Sequence, residues 1–323
     1  MAFEIPKDNW PGEVRQVTIG AAAADGGSRS HSVVVGGAKA LPFIYTDAPT
    51  VNRPKIALEI SDQFPKDWSK ILLDVWGDVT NDPGEWAKAV ENLGADLILL
   101  SLSLQHNGEE TKPEQAVQAV HKVLEASSLP LMVFGPGQAD VDNDLLVPVA
   151  DAAKGERIVL GICEDKNYRT IVASALANDH LVNSRTPMDV NLAKQLIILI
   201  HDMGLPLERI LMDPTTGALG YGIEYGYSVM ERLRLAALQG DSMTQSPMLV
   251  TPGYETWKTK EAKVGTDVPP EWGDWEERGI QWETLTAVTL LESGADIVVL
   301  RHPESFRRVS AAIESLSAAR ELA

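Results

Sequence analysis

At 323 residues and 35.1 kDa the chain is long enough for one large α/β barrel or for two smaller domains. Hydrophobic residues at 44% and charged residues at 23% are proportions of a globular protein, and a net charge of −18 opposes nucleic acid and anionic membrane as partners. One cysteine, Cys163, excludes an internal disulfide and cannot supply the thiolates of an iron–sulfur cluster.

The N-terminal residues Met1 to Asp8 carry no basic region followed by an apolar core, and no apolar run reaches the roughly 18–20 residues of a membrane span. The expected compartment is the cytoplasm. Val14–Ile19 and Ser32–Val35 read as β-branched strands around an Ala/Gly/Ser-rich segment. They predict a hairpin outside the main domain, placed to plug its N-terminal end.

From residue 70 a unit recurs: a short apolar strand, a polar or Gly/Pro loop, then an amphipathic helix. Strands are expected at Ile71–Trp76, Leu97–Ser103, Leu131–Phe134, Ile158–Ile162, Leu181–Asn183, Ile210–Asp213, Met248–Thr251 and Ile297–Leu300. Helices are expected at Glu85–Leu93, Pro113–Ala126, Val190–Asp202, Glu224–Leu238 and Gln281–Ser293. Gly94 and Gly294 mark helix ends, each with a strand beginning two residues later. The units predict an α/β fold, a TIM (β/α)8 barrel over residues 70–323 with an N-terminal β-hairpin extension over residues 1–69. Ile56–Ile60 is the competing first strand; Ile71–Trp76 is preferred because it leads through Gly77–Asp82 into a helix. An open doubly wound sheet is the weaker alternative, since no glycine-rich dinucleotide or phosphate loop is present.

The longest stretch without a pattern, within an insertion at about 252–280, contains Trp257, Trp272 and Trp275, with Trp282 just beyond. Long irregular connections often form lids or contact loops, and exposed indoles mark partner surfaces. A loop that packs its own indoles on the barrel is the plainer alternative.

Strand ends gathered on one rim bring together a distinctive set. Asp74, Asp78 and Asn81 follow the first strand; Ser103, Gln105, His106 and Asn107 the second; Gly135, Gly137 and Gln138 the third. Glu164 to Asn167 follow the fourth, Asn183 to Arg185 the fifth, Thr251, Pro252 and Gly253 the seventh, and Arg301 with His302 the eighth. The sixth contributes Asp213-Pro-Thr-Thr-Gly-Ala-Leu-Gly-Tyr-Gly222, whose Thr215 and Thr216 offer hydroxyls. Gly217, Gly220 and Gly222, beside Tyr221, let backbone approach a flat or bulky ligand. Amides, hydroxyls and glycines suit a large neutral ligand, although a long capped turn explains the same residues. No nucleophile elbow is present, and the six histidines never fall in metal-binding spacing, so no catalytic or metal residue is assigned.

Three segments carry a resemblance: Val14-Arg-Gln-Val-Thr-Ile-Gly20 with Val33-Val-Val-Gly-Gly37, Leu73-Asp-Val-Trp-Gly-Asp78 leading to Asp82-Pro-Gly-Glu-Trp-Ala-Lys88, and Met212 to Gly222. Over essentially its whole length the chain resembles the small (β) subunit of the corrinoid iron–sulfur protein, the acetyl-CoA decarbonylase/synthase delta-subunit family of the anaerobic acetyl-CoA (Wood–Ljungdahl) pathway. The resemblance implies a TIM barrel with an N-terminal hairpin and a heterodimer with a large subunit that holds the iron–sulfur cluster. A cobamide, with its cobalt, would be shared between that subunit and the mouth of this barrel. It would accept a methyl group from methyltetrahydrofolate through a separate methyltransferase and pass it to CO dehydrogenase/acetyl-CoA synthase. Asp74, Asn107, Gly135, Gly137, Asn183, Asp213, Thr215, Thr216, Gly217, Gly220, Tyr221, Gly222, Pro252 and Gly253 are the expected corrinoid-binding set. The alternative is a pterin-dependent methyltransferase barrel that itself binds methyltetrahydrofolate through Asp74, Asn183 and Asp213.

Overall fold

The computed structural model describes residues 6–106, 108–217 and 219–318. β1 (Val17–Ile19) and β2 (Val33–Val35) pair antiparallel, Val17 opposite Val35 and Ile19 opposite Val33. There follow β3 (Lys55–Ser61), α1 (Lys70–Trp76), α2 (Pro83–Leu93) and β4 (Leu97–Ser101). A small ribbon, β5 (Gln105–His106) with β6 (Glu109–Glu110), precedes α3 (Pro113–Ala126), β7 (Leu131–Phe134) and α4 (Ala139–Ala152). Then come β8 (Val159–Cys163), α5 (Tyr168–Asn178), β9 (Leu181–Arg185), α6 (Val190–Asp202), β10 (Ile210–Asp213) and α7 (Glu224–Leu238). The chain continues through β11 (Met248–Val250), α8 (Pro252–Thr256), α9 (Lys260–Lys263), α10 (Trp275–Glu292), β12 (Ala295–Leu300) and α11 (Pro303–Ser317).

Eight parallel strands close a barrel in the order β3, β4, β7, β8, β9, β10, β11, β12, with β12 hydrogen-bonded back to β3. Alternation along each strand sorts the core into two shells. Ile56, Leu58 and Ile60 face outward beneath the helices, while Ala57, Leu97, Leu99, Met132, Val159, Leu181, Leu211, Leu249, Ile297 and Val299 fill the interior. Val17, Ile19, Val33 and Val35 join that inner cluster, none more than 4% exposed. The hairpin therefore plugs the N-terminal end as expected. Burying such side chains is worth roughly 1.5–3 kcal/mol each, so it forms part of the core.

Capping explains several helix starts. Asp82 Oδ1 accepts from the N–H groups of Gly84 (2.9 Å) and Glu85 (3.1 Å), with Pro83 already set for the first turn. Asp189 caps α6 in the same way, accepting from Asn191 and Leu192.

One expectation is overturned. The first barrel strand is β3, and Ile71–Trp76 lies in helix α1. Lys70 and Asp74 pair one turn apart on its exposed face, while Ile71, Leu72 and Trp76 are buried. A six-residue apolar run does not distinguish strand from helix. The charge in the middle of Lys55–Ser61 disguised the real strand, because Glu59 points into the barrel.

The tryptophan-rich stretch is also ordered, as α8, α9 and the start of α10. Trp257 is 2% exposed and stacks on His302 at 5.8 Å, and a Cβ on Gly279 would lie 2.7 Å from its ring. Trp275 donates its Nε1–H to Ala262 O (2.8 Å). These indoles pack the segment onto the barrel. Among the described residues no helix is long and apolar enough to cross a membrane.

Candidate functional site at the barrel mouth

Above the apolar interior, the last inward-facing residues of the strands form a polar layer. Glu59, Ser61, Ser101, Arg185, Thr251 and Arg301 line a cavity of about 650 Å3, together with Phe134 and Ile162. Arg301 Nε donates to Glu59 Oε2 (2.7 Å) and its Nη2 to Oε1 (2.8 Å), while Ser101 Oγ also donates to Oε1 (2.8 Å). The guanidinium lies 4.3 Å from the Trp68 ring and 5.1 Å from that of Tyr254. Burial opposes its charge, but the Glu59 carboxylate outweighs that effect and holds its pKa above the ordinary range.

Behind this pair stands Glu283 of α10, fully buried, which accepts from the backbone N–H groups of Arg301 (2.6 Å) and His302 (3.2 Å). It fixes the turn after β12. Trp76 completes the corner by donating to Arg301 O (2.8 Å). Asp62 plays the same part beside β4: its Oδ1 accepts from Ser103 N–H (3.1 Å) and Ser103 Oγ–H (2.5 Å), and its Oδ2 meets His106 Nε2 at 2.8 Å.

The opposite side of the rim is less satisfied. Asp142 accepts from Gly137 N–H (3.0 Å), and burial pushes its carboxyl up to about 6. Burial also raises Glu164 and Asp213. Arg185 faces this group, with Nε 3.9 Å from Asp213 Oδ2 and no hydrogen bond among the described residues. Asn183 is fully buried; its Nδ2 reaches Asp213 Oδ2 at 3.4 Å, and its Oδ1 has no partner among the described residues.

The Asp213–Gly222 loop leaves the end of β10 and is pinned at its start. Asp213 Oδ1 accepts from Thr215 N–H (2.8 Å), Thr215 Oγ1 donates to Thr186 O (2.5 Å), and Thr216 Oγ1 accepts from Thr251 N–H (3.2 Å). Thr215 has φ +64°, a left-handed conformation costly for a β-branched residue and often kept where a site requires it. Beyond the pins the loop is open. A Cβ on Gly220 would meet nothing within 4 Å, Tyr221 is 86% exposed, and Gly222 has φ +131°. Gly217 likewise has only ordinary contacts around it.

The structure divides the expected set. Gly135 lines the cavity, Gly137 lies two residues further along the same loop and donates to Asp142, and the Asp213–Gly222 loop stands on the same rim. Asn183 and Asp213 face inward but are buried against each other. Pro252 and Gly253 begin α8, and a Cβ on Gly253 would lie 2.8 Å from Glu283 Oε1, so this glycine permits close packing. Asp74 is displaced: it sits on the solvent face of α1, and Asp78 and Asn81 lie in the following turn. Asn107 falls outside the described residues. Reading the wrong first strand missed Glu59, Ser61, Asp62, Gln63 and Trp68; the alternation Ala57, Glu59, Ser61 was the available signal.

Of the other candidates, Ser103 and Gln105 line the cavity, whereas His302 and Cys163 fall away from the mouth. His302 caps α11, its Nδ1 accepting from Glu304 N–H (3.0 Å), and burial lowers its pKa to about 4. Cys163 is fully buried, which pushes its thiol up and keeps it unreactive. Among the described residues no group of three or more His, Cys, Asp or Glu could hold a metal ion.

Among solved structures the barrel is similar to dihydropteroate synthase from Xanthomonas albilineans, with a TM-score of 0.57 over 85% of this chain and 96% of that one. At 13% identity this is a likeness of fold. Sequence relatives are nearer. The delta subunit of the acetyl-CoA decarbonylase/synthase complex from Methanosarcina mazei is 39% identical over 303 residues, covering 92% of this chain and 69% of the relative. The corresponding subunit from Archaeoglobus fulgidus is 37% identical over 309 residues, covering 93% and 68%. Residues 16–311 match the family described as CO dehydrogenase/acetyl-CoA synthase delta subunit, and the chain belongs to that family.

Proposed function

We propose that the chain is the non-cluster subunit of a corrinoid methyl carrier and that its barrel mouth covers one face of a cobamide held mainly by a larger subunit. Bound there, the corrinoid would supply a cobalt that takes a methyl group from methyltetrahydrofolate, through a separate methyltransferase, and yields it to acetyl-CoA synthase. The observation that carries this reading is the Asp213–Gly222 loop, strained at Thr215 and uncovered at Gly220 and Tyr221. A strained turn held by three hydrogen bonds is preserved at a cost, and here it presents an unfilled glycine surface beside an exposed aromatic ring.

The residues fit a corrin ring in kind. An eight-stranded barrel has an interior just wide enough for side chains, and this one is floored by Phe134, Ile162 and the Glu59–Arg301 pair. A macrocycle would therefore rest at loop level, with Gly217, Gly220 and Tyr221 against its face and Gly135 nearby. His106 Nε2 is engaged by Asp62 and His302 is buried as a helix cap, so neither histidine is offered to a bound metal. This chain's part is to cover and to shield.

The alternative, a barrel that itself binds methyltetrahydrofolate, drew part of its pterin site from Asp74, Asn183 and Asp213. Asp74 drops out, because it lies on a solvent-facing helix, whereas Asn183 and Asp213 stay together, buried and facing inward. The test is co-expression with the large subunit followed by a visible spectrum and cobalt assay. Gly220→Val should lower cobalt content while leaving the melting temperature unchanged, because its Cβ enters open space. Full cobalt content in that variant would remove the loop from the site, and methylation of free cobalamin by the isolated chain would favour the alternative.

A further inference from the structure

The mouth cavity lies below the plane in which the glycine-rich loop would carry a macrocycle, and its walls have a chemistry of their own. Its volume of about 650 Å3 is in the range of small-molecule sites. On the β12–β3 side Trp68 and Tyr254 are held in place by stacking on Arg301, and Phe134 lies in the base. On the far side, at the end of β9, stands Arg185. Strands β3 and β9 are four apart in the closed barrel of eight, so the aromatic wall and Arg185 face each other across the mouth.

The charge distribution is equally specific. In a chain of net charge −18 the cavity lining carries three cations, Lys66, Arg185 and Arg301, and two acids, Glu59 and Asp67. Arg301 is neutralised by Glu59, whereas Lys66 has no ion-pair partner among the described residues. Arg185 makes only the 3.9 Å approach to Asp213, and burial biases the neighbouring Asp142, Glu164 and Asp213 toward their neutral forms. A planar guanidinium open to a partly enclosed cavity is suited to a carboxylate.

We propose that this cavity binds a small planar organic anion, an elongated aromatic or heteroaromatic ring carrying a carboxylate, with the ring beside Trp68 and Tyr254 and the carboxylate at Arg185. The inference does not rest on the corrinoid reading, because the ligand needs neither the large subunit nor the metal.

The test is calorimetric titration of the full chain, without corrinoid, using 2-naphthoate and its neutral counterpart 2-naphthamide. One-to-one binding is expected, with the amide about tenfold weaker, the ratio for losing one charge-assisted hydrogen bond. Arg185→Gln should weaken naphthoate by about tenfold and leave naphthamide unchanged. Lys66→Gln, a change at an exposed position, should weaken naphthoate by about threefold and serves if the first variant folds poorly. Equal affinity for acid and amide, indifference to both substitutions, or no binding of naphthoate would overturn the proposal, and none of these outcomes bears on cobalt retention by the complex.

Discussion

Where β12 meets β3, the charged groups of the rim satisfy one another, Glu59 with Arg301 and Ser101, Glu283 with the backbone of Arg301 and His302, and Asp62 with Ser103 and His106, while His302 Nε2 and Thr256 Oγ1 behind them have no partner among the described residues. Across the mouth, from β7 to β10, the polar groups are only partly paired. Asp142, Glu164 and Asp213 are raised by burial, Asn183 Oδ1 has no partner among the described residues, and Thr215 is strained. The difference teaches where ligand chemistry is to be sought. A saturated network makes a rigid floor, whereas incompletely paired groups and uncovered glycines leave interactions for something else to make.

The largest expected effect breaks the saturated side. Glu59→Ala leaves Arg301 buried without its carboxylate and should cost ~3–5 kcal/mol in urea denaturation. A cost under about 1 kcal/mol would show that water already compensates the guanidinium and that the floor is not closed.

On the other side the sign reverses. The folded chain holds the Asp142 proton up to about 6, more tightly than the unfolded chain does. Its stabilising contribution is therefore complete below ordinary aspartate values and is lost as pH rises through about 6. Asp142→Asn keeps an acceptor for the Gly137 N–H, so at pH ~8 it should be more stable than the parent by ~2–3 kcal/mol, with the difference gone at pH ~3. A pH-independent difference would mean that the carboxyl is not buried as a neutral acid.

Two glycines sharpen the contrast at smaller cost. Gly253→Ala pushes a methyl group toward Glu283 Oε1 and Arg301 N, at 2.8 and 2.9 Å in the present geometry. Overpacking of that kind should cost ~1–3 kcal/mol. Gly220→Ala enters open space on the opposite side, and its melting curve should match the parent within ~0.5 kcal/mol. If the two variants melted alike, the difference in packing between the halves would be lost.

Much of the architecture was legible in advance because it follows from local rules. Seven of the eight barrel strands lie within a residue or two of their expected bounds, and Pro113–Ala126, Val190–Asp202 and Glu224–Leu238 are helices with the expected limits. The hairpin was readable from β-branched runs on either side of a small-residue turn. Of the candidate rim, the Asp213–Gly222 loop and the Gly135 and Gly137 positions were visible as glycine-rich strand ends. Asp74 was misplaced for the same reason that Glu59 was missed. Both depended on choosing between two apolar runs, Ile56–Ile60 and Ile71–Trp76, and the alternation that marks the first as a strand is short and interrupted by the charge of Glu59.

What the chain determined by itself, then, is the succession of strands and helices, the plug at the N-terminal end and the loop that opens on the rim. These follow from hydrophobic spacing and the turn preferences of nearby residues. Which charge may lie inside the barrel was decided only in three dimensions. Glu59 is tolerable in a buried strand because Arg301, 242 residues later, closes against it when β12 pairs with β3. The Coulombic and hydrogen-bonding partners that repay desolvation come from distant parts of the chain, and no local pattern records them.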